Sequence, residues 1–154
     1  MTIDEITEFI EALGGVLTLR PGPGDGSPRI AWGDRFFYFA PDGAVPPGQP
    51  FVTIVTKDYP DEPPAGLDRP GAFRVNIAAG RAGFRSVTGR DPRDPAPAPE
   101  PIGAPGMLTA HPTYGALGWV AVIDPGPEVR ADVLDLLRGA HDAARARHRR
   151  RHPD

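Results

Sequence analysis

The sequence predicts an α+β fold: an antiparallel sheet of about five strands with N- and C-terminal helices packed on one face. Three observations carry this expectation. Apolar residues near both ends recur at helical spacing. Between them, short β-branched and aromatic runs alternate with turn residues. Those runs follow one another through short connections, which suits antiparallel pairing. A length of 154 residues gives one domain, 1–154, large enough to build a core without disulfides.

The elements follow in order. Ile3, Ile6, Phe9, Ile10 and Leu13 fall on one helical face. Thr2 and Glu5 stand in the capping-box relation, and Gly14-Gly15 ends the helix where a positive φ is cheap. Residues 16–19 are β-like, and 21–28 is a Pro/Gly loop. Residues 29–32 and 35–39 read as two strands around a two-residue Gly33-Asp34 turn. Phe36, Phe37, Tyr38 and Phe39 are apolar on both faces, which predicts a strand covered by a helix on one side. The other side is left to a loop or to a second copy of the chain, as a homodimer.

Residues 51–56 form a β-branched strand, and 57–70 a polar loop. Residues 73–77 alternate as a half-buried strand, with Arg74 and Asn76 sharing a face. A short helix over 80–88 turns Phe84 and Val87 inward. The Pro/Ala-rich stretch 90–106 is a loop. Residues 118–123 form a strand, and 124–127 turn into a last helix lined by Val129, Val133, Leu136, Leu137 and Ala140. The tail, 145–154, is basic and frays from a helix end whose dipole favours positive charge.

Composition bounds the function. The net charge of −3 argues against nucleic acid as a partner. With no cysteine there is no disulfide and no thiolate nucleophile or ligand, which suits a reducing, cytoplasmic location. The opening residues, Met1-Thr2-Ile3-Asp4-Glu5, are acidic and read as helix rather than signal peptide. No apolar run reaches the roughly 20 residues of a membrane span. Phosphate-loop, nucleophile-elbow, zinc-protease and calcium-loop motifs are all missing, so no cofactor is expected.

Three clusters could carry chemistry. Lys57-Asp58-Tyr59 closes the β-branched strand; Lys57 is the one lysine among 17 basic side chains. It could hold an anion or assist proton transfer, or be an ordinary ion pair at a solvated strand end. Asp68-Arg69 with Arg74 and Asn76 could line a pocket, Arg74 for a carboxylate or phosphate and Asn76 for orientation; otherwise they form a wet sheet face. His111 and Tyr114, followed by Trp119, supply a titratable imidazole and aromatic cover, or simply a structured turn. His141 and His148 are seven apart and lack a third neighbour, so no metal site is expected.

Several phrases together resemble an uncharacterised family of small actinobacterial proteins, a bacterial domain of unknown function. They are Ala31-Trp32-Gly33-Asp34 with Phe36-Phe37-Tyr38, Thr56-Lys57-Asp58-Tyr59-Pro60, Leu67-Asp68-Arg69-Pro70-Gly71, residues 73–77 and residues 111–119. More loosely, the layout resembles the MmcQ/YjbR-like group of α+β domains, once proposed to bind DNA. Neither resemblance implies an activity.

The reading that follows is a small-molecule binding or accessory protein. Arg74 and Lys57 would hold an anionic ligand, Asn76 would orient it, and Trp119 or Tyr114 would cover its apolar part. The alternative is a cofactor-independent enzyme, with His111 as general acid–base and Lys57 or Tyr114 as partner. A third reading is a nucleic-acid accessory domain using the basic tail.

Overall fold

The computed structural model describes residues 1–95 and 104–153. Of the 90–106 loop, residues 96–103 lie outside the described residues. The first helix, α1 (Ile3–Ala12), starts as its sequence dictates: Thr2 is extended and its hydroxyl accepts the Glu5 N–H at 3.1 Å. Such a cap contributes about 1 kcal/mol. Gly14 and Gly15 then reverse the chain at φ 93° and 69°. A Cβ on Gly15 would sit 2.6 Å from the Phe39 ring, so only glycine fits between the helix end and the sheet.

Among the described residues, six strands form one antiparallel sheet: β1 (Val16–Leu19), β2 (Arg35–Phe39), β3 (Val52–Val55), β4 (Arg74–Ala78), β5 (Thr109–Ala110) and β6 (Trp119–Ile123). Their spatial order is β1-β2-β3-β4-β6-β5. Two helices complete the fold, α2 (Gly80–Thr88) after β4 and α3 (Arg130–Arg151) at the end. A 3₁₀ turn at Pro127–Val129 leads into α3, its φ preset by Pro127.

Alternation along the strands divides the sheet into two faces. Phe37, Val52, Ile54, Val75, Ile77, Val120 and Val122 point to the helices and pack with Ile6, Ile10, Phe84, Val133 and Leu137. This is the core, and each fully buried large side chain contributes about 1.5–3 kcal/mol. The register puts Phe36 opposite Thr53, and Asn76 opposite both Thr53 and Ala121. The other face of the sheet therefore carries polar as well as aromatic groups.

Two expectations need correcting, and one strand was not foreseen. Residues 29–31 form a 3₁₀ turn, not a strand, closed by the Ala31 N–H on the Pro28 carbonyl at 3.0 Å. Both edges of β2 are already taken, by β1 and β3, so no ladder remains for this segment to join. The strand β5 escaped the sequence reading because two residues are too few for a period. And β4 is buried on both faces rather than half-buried, with Arg74 and Asn76 each only 4% exposed.

The basic stretch is part of the last helix. It continues α3 as far as Arg151. His141 and His148 use the same helix to hold β2: both rings meet Phe39 edge-on, at 5.4 and 5.3 Å, and His141 Nε2 lies 2.7 Å from the Gly14 carbonyl oxygen. No group of three or more metal-ligating side chains forms among the described residues. Among the described residues, no helix is long and apolar enough to cross a membrane.

Candidate functional site

The face of the sheet away from the helices is covered by the chain itself, and the cover leaves a cavity of about 490 Å³. Its floor comes from four strands: Phe36 and Tyr38 of β2, Thr53 and Val55 of β3, Arg74 and Asn76 of β4, and Trp119 of β6. One wall is the 3₁₀ turn with Ile30 and Ala31. A second is the loop after β3, with Tyr59, Asp61 and Glu62. The third is the β5–β6 connection, with His111, Tyr114 and Leu117.

The polar floor is one connected chain. Arg74 Nη2 donates to Glu62 Oε2 and Arg74 Nε to Asn76 Oδ1, both at 2.8 Å. Asn76 Nδ2 donates in turn to Thr53 Oγ1 at 3.0 Å. A buried guanidinium needs a carboxylate partner, and Glu62 supplies it from the loop. Arg74 therefore enters the site already paired.

His111 is set by its own turn. The backbone N–H groups of Thr113 and Tyr114 both donate to its Nδ1, at 3.0 Å each. An Nδ1 that accepts carries no proton, so the proton of the neutral ring is on Nε2. Burial, together with the nearby Arg74 charge, pushes the imidazole down to about 3. The ring is thus a neutral N–H donor. Tyr114 packs beside it at 4.9 Å between ring centroids, and Trp119 lies 6.5 Å beyond Tyr114.

Of the six residues given a role in the sequence reading, five line this one cavity: Arg74, Asn76, His111, Tyr114 and Trp119. Lys57 does not. Its ammonium donates to the Trp32 carbonyl at 2.9 Å, to Asp34 Oδ1 at 3.0 Å and to Thr56 Oγ1 at 3.2 Å, which uses all three of its protons. Its neighbours in sequence part company as well. Tyr59 turns its ring to the cavity and donates its hydroxyl to Asp34 Oδ2. Burial and the Asp34 carboxylate push that phenol up, so it stays protonated. Asp58 accepts the backbone N–H groups of Ala65 and Leu67 at 2.8 and 3.3 Å, which shapes the loop. Asp68 is exposed and Arg69 pairs with Asp124 at 3.1 Å, both outside the cavity lining.

Sequence reasoning missed Asp34, Asp61 and Glu62. Asp34 read as a turn residue, yet it has no exposed surface and accepts from Thr56, Lys57 and Tyr59. Asp61 and Glu62 sat in a stretch of proline and charge that looked like plain loop. A signal existed for Glu62: a lone arginine on a strand, once buried, requires a carboxylate from somewhere.

A family model for a family of unknown function, DUF6194, matches residues 1–153. The chain belongs to the DUF6194 family. That agrees with the expectation of an uncharacterised family covering nearly the whole chain. The DUF6194 description names no source organism, no activity and no kinship with the MmcQ/YjbR-like group. No curated protein and no solved structure matches the chain.

Proposed function

We propose that this protein binds a small, partly apolar molecule in the cavity over the helix-free face of its sheet, and serves as a binding or accessory protein. The observation that carries the reading is the contrast between floor and mouth. Arg74 and Asn76 on the floor and His111 on the wall are each 4% exposed, while Ile30, Tyr114 and Leu117 of the same lining stand 41%, 45% and 74% exposed. These three make up most of the large apolar side chains exposed among the described residues. A cavity of this size with a few convergent polar groups under an apolar rim has the make-up of a ligand pocket.

The geometry favours binding over general acid–base catalysis by His111. Its Nδ1 is occupied and its ring is held neutral, so it offers a hydrogen bond and has no lone pair free to take a proton. The anion expected on Arg74 and Lys57 has less behind it than the cavity itself. Lys57 is committed to Asp34, and Arg74 to Glu62.

Amide shift mapping by NMR against a library of small aromatic fragments tests the proposal. The expected result is binding, with the shifted amides concentrated at Thr53, Arg74, Asn76 and Trp119. Fragments that shift only other regions, or no binding at all, would overturn it.

A further inference from the structure

We propose that the molecule this cavity takes is an organic cation, an ammonium or similar group on an apolar body. The inference rests on the binding reading above and adds the charge class of the ligand.

The cavity lining holds two carboxylates, Asp61 and Glu62, and one guanidinium, Arg74. His111 adds no charge while its Nδ1 accepts two N–H groups. The lining is therefore acidic by one unit. Glu62 spends its charge on Arg74, at 2.8 Å. Asp61 lies on the same loop, is exposed, and has no ion-pair or hydrogen-bond partner for its carboxylate among the described residues.

An anion entering this space would meet an Arg74 whose charge Glu62 already balances, and would add to the uncompensated charge of Asp61. Burying a second negative charge beside a paired one costs desolvation with no fresh cation to offset it. A cation has the opposite balance. Asp61 neutralises it at the rim without breaking the Arg74–Glu62 pair. Tyr38, Tyr114 and Trp119 offer ring surfaces within the same cavity, and aromatic faces attract positive charge through their quadrupole. The apolar rim at Ile30 and Leu117 then suits the body that carries the charge.

Isothermal titration calorimetry with phenylbutylamine, phenylbutanol and phenylbutyrate tests this directly. The three share one apolar body and differ in the charge of the head. The amine should bind about threefold to tenfold tighter than the alcohol, a gap set by an exposed carboxylate and ring faces, and the carboxylate weakest. Asp61→Asn should narrow the gap between amine and alcohol. Because Asp61 is exposed and unpartnered, the variant should melt as the parent does. Equal affinities, a reversed order, or a gap untouched by Asp61→Asn would overturn the cation and leave the pocket standing. Binding of none of the three would overturn the pocket reading with it.

Discussion

His111 shows how a single side chain acquires a role from its backbone. Two N–H groups of its own turn fix the tautomer, and burial fixes the charge. A consequence for stability follows. In the unfolded chain the imidazole takes a proton near its ordinary 6.5, but in the folded protein only near 3. Between those values the unfolded state binds more protons, so acid favours unfolding. Stability should fall as pH drops through 6.5 and go on falling towards 3, with a slope approaching about 1.4 kcal/mol per pH unit from this group alone. His111→Asn, which keeps an acceptor for the turn but cannot protonate there, should flatten that part of the profile in urea titrations taken at several pH values. A profile equally steep in the variant would place the acid sensitivity elsewhere. Asp34 makes a parallel point. Its carboxylate is wholly buried, and Lys57, Thr56 and Tyr59 together satisfy it. The one lysine of the chain is therefore spent on holding the start of β2 to the end of β3.

At the scale of the element, strand β2 carries the argument. Four aromatic residues in a row, Phe36 to Phe39, give no period, so the sequence predicted only that both faces would be covered. The pleat sends Phe37 to the helices, where it is fully buried, and Phe36 to the cavity, where it is half-buried. Neighbours in sequence should then differ in cost. Phe37→Ala should destabilise the protein by about 3–5 kcal/mol, the usual range for a buried phenylalanine. Phe36→Ala should cost about 1 kcal/mol, in keeping with its smaller buried area, and should weaken fragment binding. Equal costs in urea unfolding would mean that the two faces are not distinct. The loop after β3 is the counterpart. Its sequence reads as proline and charge, yet Tyr59 ties one end to Asp34 and Asp58 ties the chain at Ala65 and Leu67. Between these ties Glu62 reaches Arg74.

At the scale of the whole molecule, the helices close one face of the sheet and the cavity lies on the other. Where α2 crosses α3, Gly83 lets them approach: a Cβ there would stand 2.9 Å from Ala79 Cβ and 3.1 Å from Leu136 Cδ2. Alanine is the better helix former by about 1 kcal/mol. Overpacking at such a contact costs about 1–3 kcal/mol. Gly83→Ala should therefore lower the melting temperature, against the sign that propensity alone would give. A rise in melting temperature would mean that the helices shift apart at no cost.

The same division of labour separates what was legible in the sequence from what was not. Helical spacing near both ends, the Thr2 cap and the β-branched runs by themselves determined an α+β fold with an antiparallel sheet. They did so because period and capping are local properties, written in residues three or four apart. Alternation likewise put Arg74 and Asn76 on one face, and the polar turn marked His111 and Tyr114. What only the tertiary structure decided is which residues meet. Lys57 is directed away from the cavity because Asp34, 23 residues distant, is buried beside it. Glu62 is brought in because Arg74, 12 residues on, is buried and needs a charge of opposite sign. Segment 29–31 stays out of the sheet because β1 had already filled the edge of β2. Each of these outcomes depends on burial and on partners far along the chain, and neither is set by a residue's neighbours in sequence.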